Sequence, residues 1–254
     1  MRSPVLIEPD WPAPANVRAV ITTRQGGYSQ APFDSWNLGL HVGDDRATVL
    51  ANRQLLVDET SLKQIAWIDQ VHGAQSVRAR DAIASVQPLQ ADSVWTDTPD
   101  LGCAVMTADC LPILLCNQQG TIVSAVHAGW RGLVCGVVLE AVRSANLAPG
   151  ESLAWIGPGI SQSAYQVDSS VLAAFLSSAA FSAVDSRDIA ACFLPDEDTR
   201  YRCDLAALAR LQLAAQGVRQ IFGEGAYGDA QHSDFFSYRR DGKTGRFASL
   251  IWMI

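Results

Sequence analysis

No apolar run in these 254 residues approaches the ~20 needed to cross a bilayer, so no membrane-spanning helix is expected. The opening stretch, MRSPVLIEPDWPAP, holds only the short apolar island 4–7 before Glu8, too little for the core of a secretory leader. No C-x-x-C pair occurs among the six cysteines (103, 110, 116, 135, 192 and 203), and several sit inside apolar runs. Reduced thiols in a cytoplasmic setting are therefore expected rather than a disulfide framework. A basic excess is missing too. The formal charge is −7 and the isoelectric point near 5.0, which argues against a nucleic-acid surface. Histidine is scarce, with four in the whole chain.

What the chain does have is apolar material: 48% hydrophobic against 18% charged residues, enough for a sizeable core and too much for a disordered chain. A length of 254 residues favours one domain, spanning 1–254, over two. The organising stretch is GCAVMTADCLPILLCNQQGTIVSAVHAGWRGL, residues 102–133. Its three short apolar runs (103–106, 111–116 and 122–126) are bounded by Gly and Pro and read as buried strands. Thr107-Ala-Asp109-Cys110 follows the first run and His127-Ala-Gly-Trp-Arg131-Gly132 follows the third. Ionisable groups where buried strands end are what an active site on a rigid scaffold requires. Taken singly, Cys110 and His127 read more readily as a core thiol and a satisfied strand-end imidazole.

In chain order, residues 17–22 form a strand that delivers Thr23-Arg24-Gln-Gly26-Gly27, a turn able to hold an anion with Arg24. Residues 48–58 read as a helix with Val49, Leu50 and Leu56 on one side. Residues 67–73 read as the end of a strand leading to His72-Gly73. Ala91-Asp92 echoes Ala108-Asp109, and His72-Gly73 echoes His127-Ala-Gly129, hinting at a duplicated core. Residues 130–146 read as one helix. Asp168 and Asp204 are placed to cap helices, the second closed by Gly217, and residues 247–254 read as a terminal strand tied into a sheet. Strands in succession with interspersed helices suggest α+β. Gly223-Glu-Gly225-Ala-Tyr-Gly228 matches a dinucleotide fingerprint, but no apolar helix follows it. Residues 238–246, locally basic, read as a turn with ion pairs or one arm of a phosphate-sized pocket.

Two imidazoles and a thiolate make a sensible ligand set for zinc with a fourth position left for water. His72, Cys110 and His127 are separated by 38 and 17 residues, a spacing that matches no short metal motif. A Cys110 nucleophile with His127 as its base is the rival reading. Asp109 adjoins Cys110, and its side chain should diverge from that of Cys110 in an extended segment. It is a candidate to orient a histidine, to move protons, or simply to cap a turn.

The motifs TTRQGGYS, NLGLHVGDD, Asn52-Arg53, QVHG, ADC, AVHAGWRGL, IGPGIS with Tyr165, and FFSYRRDGKTGRFASLIWMI run through nearly the whole chain in this order. With them the chain resembles the laccase-domain family, also called multicopper polyphenol oxidase-like, purine nucleoside phosphorylase or peptidoglycan editing factor proteins. The resemblance implies a four-layer α/β/β/α sandwich with internal duplication. It also implies a metal, usually zinc, on His72, Cys110 and His127; Cys110 and His127, with the neighbouring Asp109, are the candidate catalytic residues. Implied partners are a purine nucleoside and phosphate, with phosphorolysis of adenosine, inosine and methylthioadenosine and deamination of adenosine. Asn37 and Gln70, inside matching motifs, are candidates to bind substrate; Arg24, Arg53, Arg239 and Arg240 are candidates for an oxyanion. The laccase name implies copper, but four histidines supply too few ligands for several copper ions. Editing hydrolysis of a cell-wall precursor and a non-catalytic metal-stapled module are the other readings. The family usually carries Cys at Gly159, Glu near Gln166 and Cys-Thr near Tyr227-Gly228, departures that bear on substrate range or packing.

Overall fold

Along a strand successive side chains face opposite sides, and the 111–117 run shows what that alternation does here. Leu111, Ile113 and Leu115 join one buried cluster, while Leu114 and Cys116 join another. A computed structural model describes residues 3–225 and 234–254. It places this strand in a six-stranded sheet ordered β13 (Gln220–Phe222), β9 (Ser152–Ile156), β7 (Leu111–Asn117), β8 (Val123–Ala128), β5 (Ser93–Thr96) and β4 (Ser76–Arg78). A five-stranded sheet is ordered β1 (Leu6–Ile7), β2 (Val17–Thr22), β14 (Phe247–Met253), β6 (Leu101–Thr107) and β3 (Gln64–Ala66). A small third sheet joins β10 (Gln166–Asp168), β12 (Arg200–Cys203) and β11 (Phe193–Pro195).

The helices are α1 (Arg46–Thr60), α2 (Ala79–Ala84), α3 (Trp130–Cys135), α4 (Val137–Ser144), α5 (Ser169–Leu176), α6 (Ser186–Ala191), α7 (Leu205–Ala215) and α8 (Tyr238–Asp241). Three buried clusters define the layering. Leu56 of α1 packs on Val20, Ala104, Ala248 and Leu250, the outer face of the five-stranded sheet. Ile21, Cys103, Val105 and Ile251 meet Leu114, Cys116, Val123 and Ala125 between the sheets. Leu133, Val138, Ala141, Leu208 and Leu213 cover the outer face of the six-stranded sheet. The result is helix, sheet, sheet, helix, the α+β four-layer sandwich expected. None of the helices among the described residues is long and apolar enough to cross a membrane.

The 17–22 strand and the caps Asp168 and Asp204 stand where the sequence puts them. The terminal strand is more central than a tie: β14 pairs antiparallel with both β2 and β6, Ser249 lying opposite Ile21 and Val105. Four expectations need correction. Leu50 is 45% exposed, because α1 turns Val49 and Leu56 inward instead. The 130–146 helix is broken, since Gly136 takes φ +88 and its N–H closes on Gly132 and Leu133 carbonyls, ending α3 before α4 begins. His127 lies inside β8, opposite Pro112, rather than after it, and His72 lies in a loop beyond β3.

Candidate metal centre and its cavity

β6 and β7 are consecutive yet belong to different sheets, so residues 108–110 carry the chain from one sheet to the other. Asp109 adopts φ +108 at this crossing, a conformation that non-glycine residues hold only when surrounding bonds enforce it. Those bonds are present. Asp109 Oδ1 accepts from Ser237 Oγ at 2.6 Å, Oδ2 from the Arg239 backbone N–H at 2.7 Å, and its carbonyl from Ile160 N–H at 2.8 Å. The crossing thereby sets Cys110 beside His127 of β8 and His72 of the loop that follows β3.

One ligand atom from each of His72, Cys110 and His127 lies within 4.8 Å of the other two. His72 Nε2 is 3.9 Å from Cys110 Sγ, and the two imidazoles meet edge to face with centroids 4.7 Å apart. Tetrahedral zinc with usual bond lengths separates such donors by about 3.5 Å, so a modest contraction suffices. Backbone room is provided as well: a Cβ at Gly129 would lie 2.8 Å from Cys110 Sγ and 3.3 Å from His72 Cδ2. The residues fit a single zinc-type ion, and this is the only such group among the described residues.

Asp92, buried at the start of β5, organises both histidines. Its Oδ1 accepts from His127 Nδ1 at 2.8 Å and from the His72 N–H at 2.9 Å; Oδ2 accepts from the N–H groups of Gly73 at 2.6 Å and Val71 at 3.3 Å. Three successive N–H groups converge on one carboxylate because His72 takes φ +60. Burial opposes the charge on Asp92, but its bond to His127 and those backbone donors hold it below the usual carboxylate range. With Nδ1–H committed to Asp92, His127 presents Nε2 to the thiol. Burial alone would raise the Cys110 thiol; His127 and His72 reverse this and bring it to about 6. Burial likewise opposes protonation of His127, yet Cys110 and Asp92 push it up to about 9. These neighbours favour the thiolate on Cys110, the form in which sulfur ligates, whereas His127 must give up its ring proton at Nε2 before it can ligate.

The triad opens into a cavity of about 480 Å³ walled by Trp130, Tyr165, Asp109, Arg131, Arg239 and Arg246. Burial holds the Tyr165 phenol well above its ordinary value, so it stays protonated. A larger hollow of about 610 Å³ beside Cys135 and Leu139 includes none of the triad.

Of the residues expected to touch substrate, Gln70 and Arg239 line the cavity, although Gln70 also exchanges two 2.8 Å bonds with the Met106 backbone. Four others lie off it. Arg24 is pulled toward Asp34 and Asp241 and over Phe236; Arg240 pairs with Asp241. Asn37 is buried, bonding Asp44, Gly39 and the Arg246 N–H. Arg53 stacks on Trp67 at 4.0 Å and donates to the Leu38 carbonyl. The sequence reading missed the carboxylate role of Asp92, whose signal was an acidic residue directly before a buried strand. It also left out His41 and Arg246, and gave Arg131 no role although it stands in the first turn of α3, four residues beyond His127. Gly159 is set by packing, since a Cβ there would lie 2.5 Å from Leu111 Cδ2. Gln166 bridges Arg200 and Asp196 and gives its carbonyl to Arg239. Tyr227-Gly228, the last glycine of the G-x-G-x-x-G stretch and His232 lie outside the described residues.

A purine nucleoside phosphorylase of Pseudomonas aeruginosa is 44% identical over 248 residues, covering 97% of this chain and 98% of the relative. The purine nucleoside phosphorylase YfiH of Escherichia coli is 45% identical over 251 residues, covering 98% and 99%. Among solved structures, a Neisseria meningitidis protein superimposes with a TM-score of 0.90 at 42% identity, covering 98% of both chains. YlmD from Geobacillus stearothermophilus gives 0.84 at 31% identity, covering 94% of this chain and 92% of its own. Residues 18–254 match the family described as multi-copper polyphenol oxidoreductase laccase, and the chain belongs to that family.

Proposed function

We propose that this chain is a zinc-dependent purine nucleoside phosphorylase that also deaminates adenosine, acting on adenosine, inosine and methylthioadenosine. The observation that carries the reading is one three-ligand His-Cys-His group opening into a cavity of small-molecule size. The names of relatives at 44% and 45% identity support it. One ion on three protein ligands favours zinc over a multi-copper redox centre.

Zinc on His72, Cys110 and His127 would supply Lewis-acid polarisation and activation of water. The chain's own groups do the rest. Asp92 fixes the His127 tautomer and holds the His72 loop. Trp130 and Tyr165 offer a flat apolar wall for a purine, with the Tyr165 hydroxyl kept as a donor. Phosphorolysis forms a bond from a phosphate oxygen to the ribose C1′ as the bond from C1′ to the base breaks, and the departing base takes up a proton. Deamination adds water at the purine C6 and releases ammonia. Both need a proton moved within the cavity, and Asp109 is the carboxylate on its wall to carry it at an Oδ atom.

The test is elemental analysis of purified protein with product analysis on adenosine. About one zinc per chain, adenine and ribose 1-phosphate with phosphate, and inosine and ammonia without it, are expected. Two or more copper ions per chain, or turnover of a UDP-muramoyl amino acid and of no nucleoside, would overturn the reading.

A further inference from the structure

We propose that Arg131, Arg239 and Arg246 form the subsite for the phosphate co-substrate, a proposal that rests on the phosphorylase reading. All three line the cavity of the metal centre. Among the described residues, the arginines with a carboxylate at ion-pair distance all lie off this cavity: Arg24, Arg78, Arg80, Arg143, Arg187, Arg202 and Arg240. Among the described residues no carboxylate lies that close to Arg131, Arg239 or Arg246. In a chain of net charge −7, three such guanidinium groups lining one cavity stand out.

They are held by neutral groups instead. Arg239 Nη1 donates to the Gln166 carbonyl at 3.0 Å, with its guanidinium 5.2 Å from the Tyr165 ring centre. Arg246 Nη1 donates to the carbonyls of Gly245 at 2.9 Å and Thr244 at 3.2 Å. Arg131 lies 4.4 Å over Trp130. Carbonyl and ring anchors orient a guanidinium without cancelling its charge, and they leave further N–H groups of each fork unspent. Arg246 is half-buried; burial works against its charge and the nearby Cys110 and Asp109 offset this only in part, so a further anion is favoured there. Asp109 lines the same cavity and acts on Arg246 through space, while its oxygens accept from Ser237 and the Arg239 backbone rather than from a guanidinium among the described residues. Three forks suit a tetrahedral oxyanion with several acceptor oxygens. The placement also suits the reaction, because the rings that anchor Arg131 and Arg239 are the proposed purine wall. Phosphate bound there would sit beside the base, toward the ribose carbon it must attack.

The test uses the zinc-loaded full chain. Arg131→Gln, Arg239→Gln and the conservative Arg246→Lys should each raise the KM for phosphate in inosine cleavage about tenfold, and more than the KM for inosine. Arg187→Gln, on the surface, should leave it unchanged. Independently of any variant, phenylglyoxal labelling mapped by mass spectrometry should show inorganic phosphate protecting Arg131 and Arg239 but not Arg187. An unchanged phosphate KM in all three variants, or labelling indifferent to phosphate, overturns the proposal. Protection by a nucleoside 5′-monophosphate and none by inorganic phosphate would also overturn it, assigning the arginines to a substrate's own phosphate. Phosphate protection without phosphorolysis of any nucleoside would uphold the anion site and defeat the phosphorylase reading instead.

Discussion

Asp92 and Asp109 each follow an alanine in the sequence, yet their carboxylates serve different partners. Asp92 accepts from His127 and from three backbone N–H groups of the His72 loop. An amide in its place has one acceptor oxygen where four donors converge, and its NH2 group faces donors it cannot bond. Asp92→Asn should therefore weaken zinc binding about 10- to 100-fold, as lost partners of metal-bound histidines generally do. It should also cost about 1–3 kcal/mol of stability through unsatisfied buried donors. Competition with a chromophoric chelator and urea unfolding would read the two effects; wild-type zinc affinity would show that His127 needs no such anchor. Asp109→Asn should behave in the opposite way. It should retain the proposed zinc and lower the proposed adenosine turnover by about tenfold or more, the usual worth of an acid–base group. Full turnover with full zinc would leave Asp109 only its part in holding the crossing from β6 to β7.

At the scale of elements, the sequence was legible wherever a short apolar run met turn residues, as for β2, β6, β7 and β14, or an aspartate stood before a periodic run, as for α5 and α7. It was less legible where backbone conformation decides. Glycine inside a helical pattern is tolerated often enough that Gly136 read as part of one long helix, whereas its positive φ splits the segment and lets α3 and α4 cover the six-stranded sheet separately. The strands of the small sheet are three or four residues long, with no alternation strong enough to announce them. The break at Gly136 carries its own prediction. Alanine there must adopt the left-handed conformation at a cost of about 1–2 kcal/mol, and its Cβ would meet that of Ala180 at 3.2 Å. Gly136→Ala should lower the unfolding free energy by about that amount with zinc content intact. An unchanged denaturation midpoint would mean that the helix junction relaxes freely.

Across the whole molecule, the meeting of His72, Cys110 and His127 is a product of topology. His72 follows the edge strand of one sheet, Cys110 stands on the crossing between sheets, and His127 belongs to the second sheet. Their spacing is therefore set by the path of the chain, which explains why no short motif announces them and why family resemblance was the stronger signal. Arg246, at the end that leads into β14, is brought to the same cavity by the same packing, and no local pattern could have foretold it. A metal bound to all three segments should clamp the two sheets together at this corner. Because such binding favours the folded state by RT ln(1 + [L]/Kd), zinc at about a thousandfold over its Kd stabilises by about 4 kcal/mol. At about 2–4 °C per kcal/mol for a chain near this size, the Tm should fall by about 8–16 °C on complete removal of the metal. Calorimetry of zinc-loaded and chelator-stripped protein would measure the difference. Cys110→Ala, which removes the ligand at the crossing between the sheets, should melt near the stripped value and gain little from added zinc. If wild-type protein with stoichiometric zinc melted no higher than the stripped form, the ion would not be clamping these segments, and the three side chains would not be acting together as its ligands.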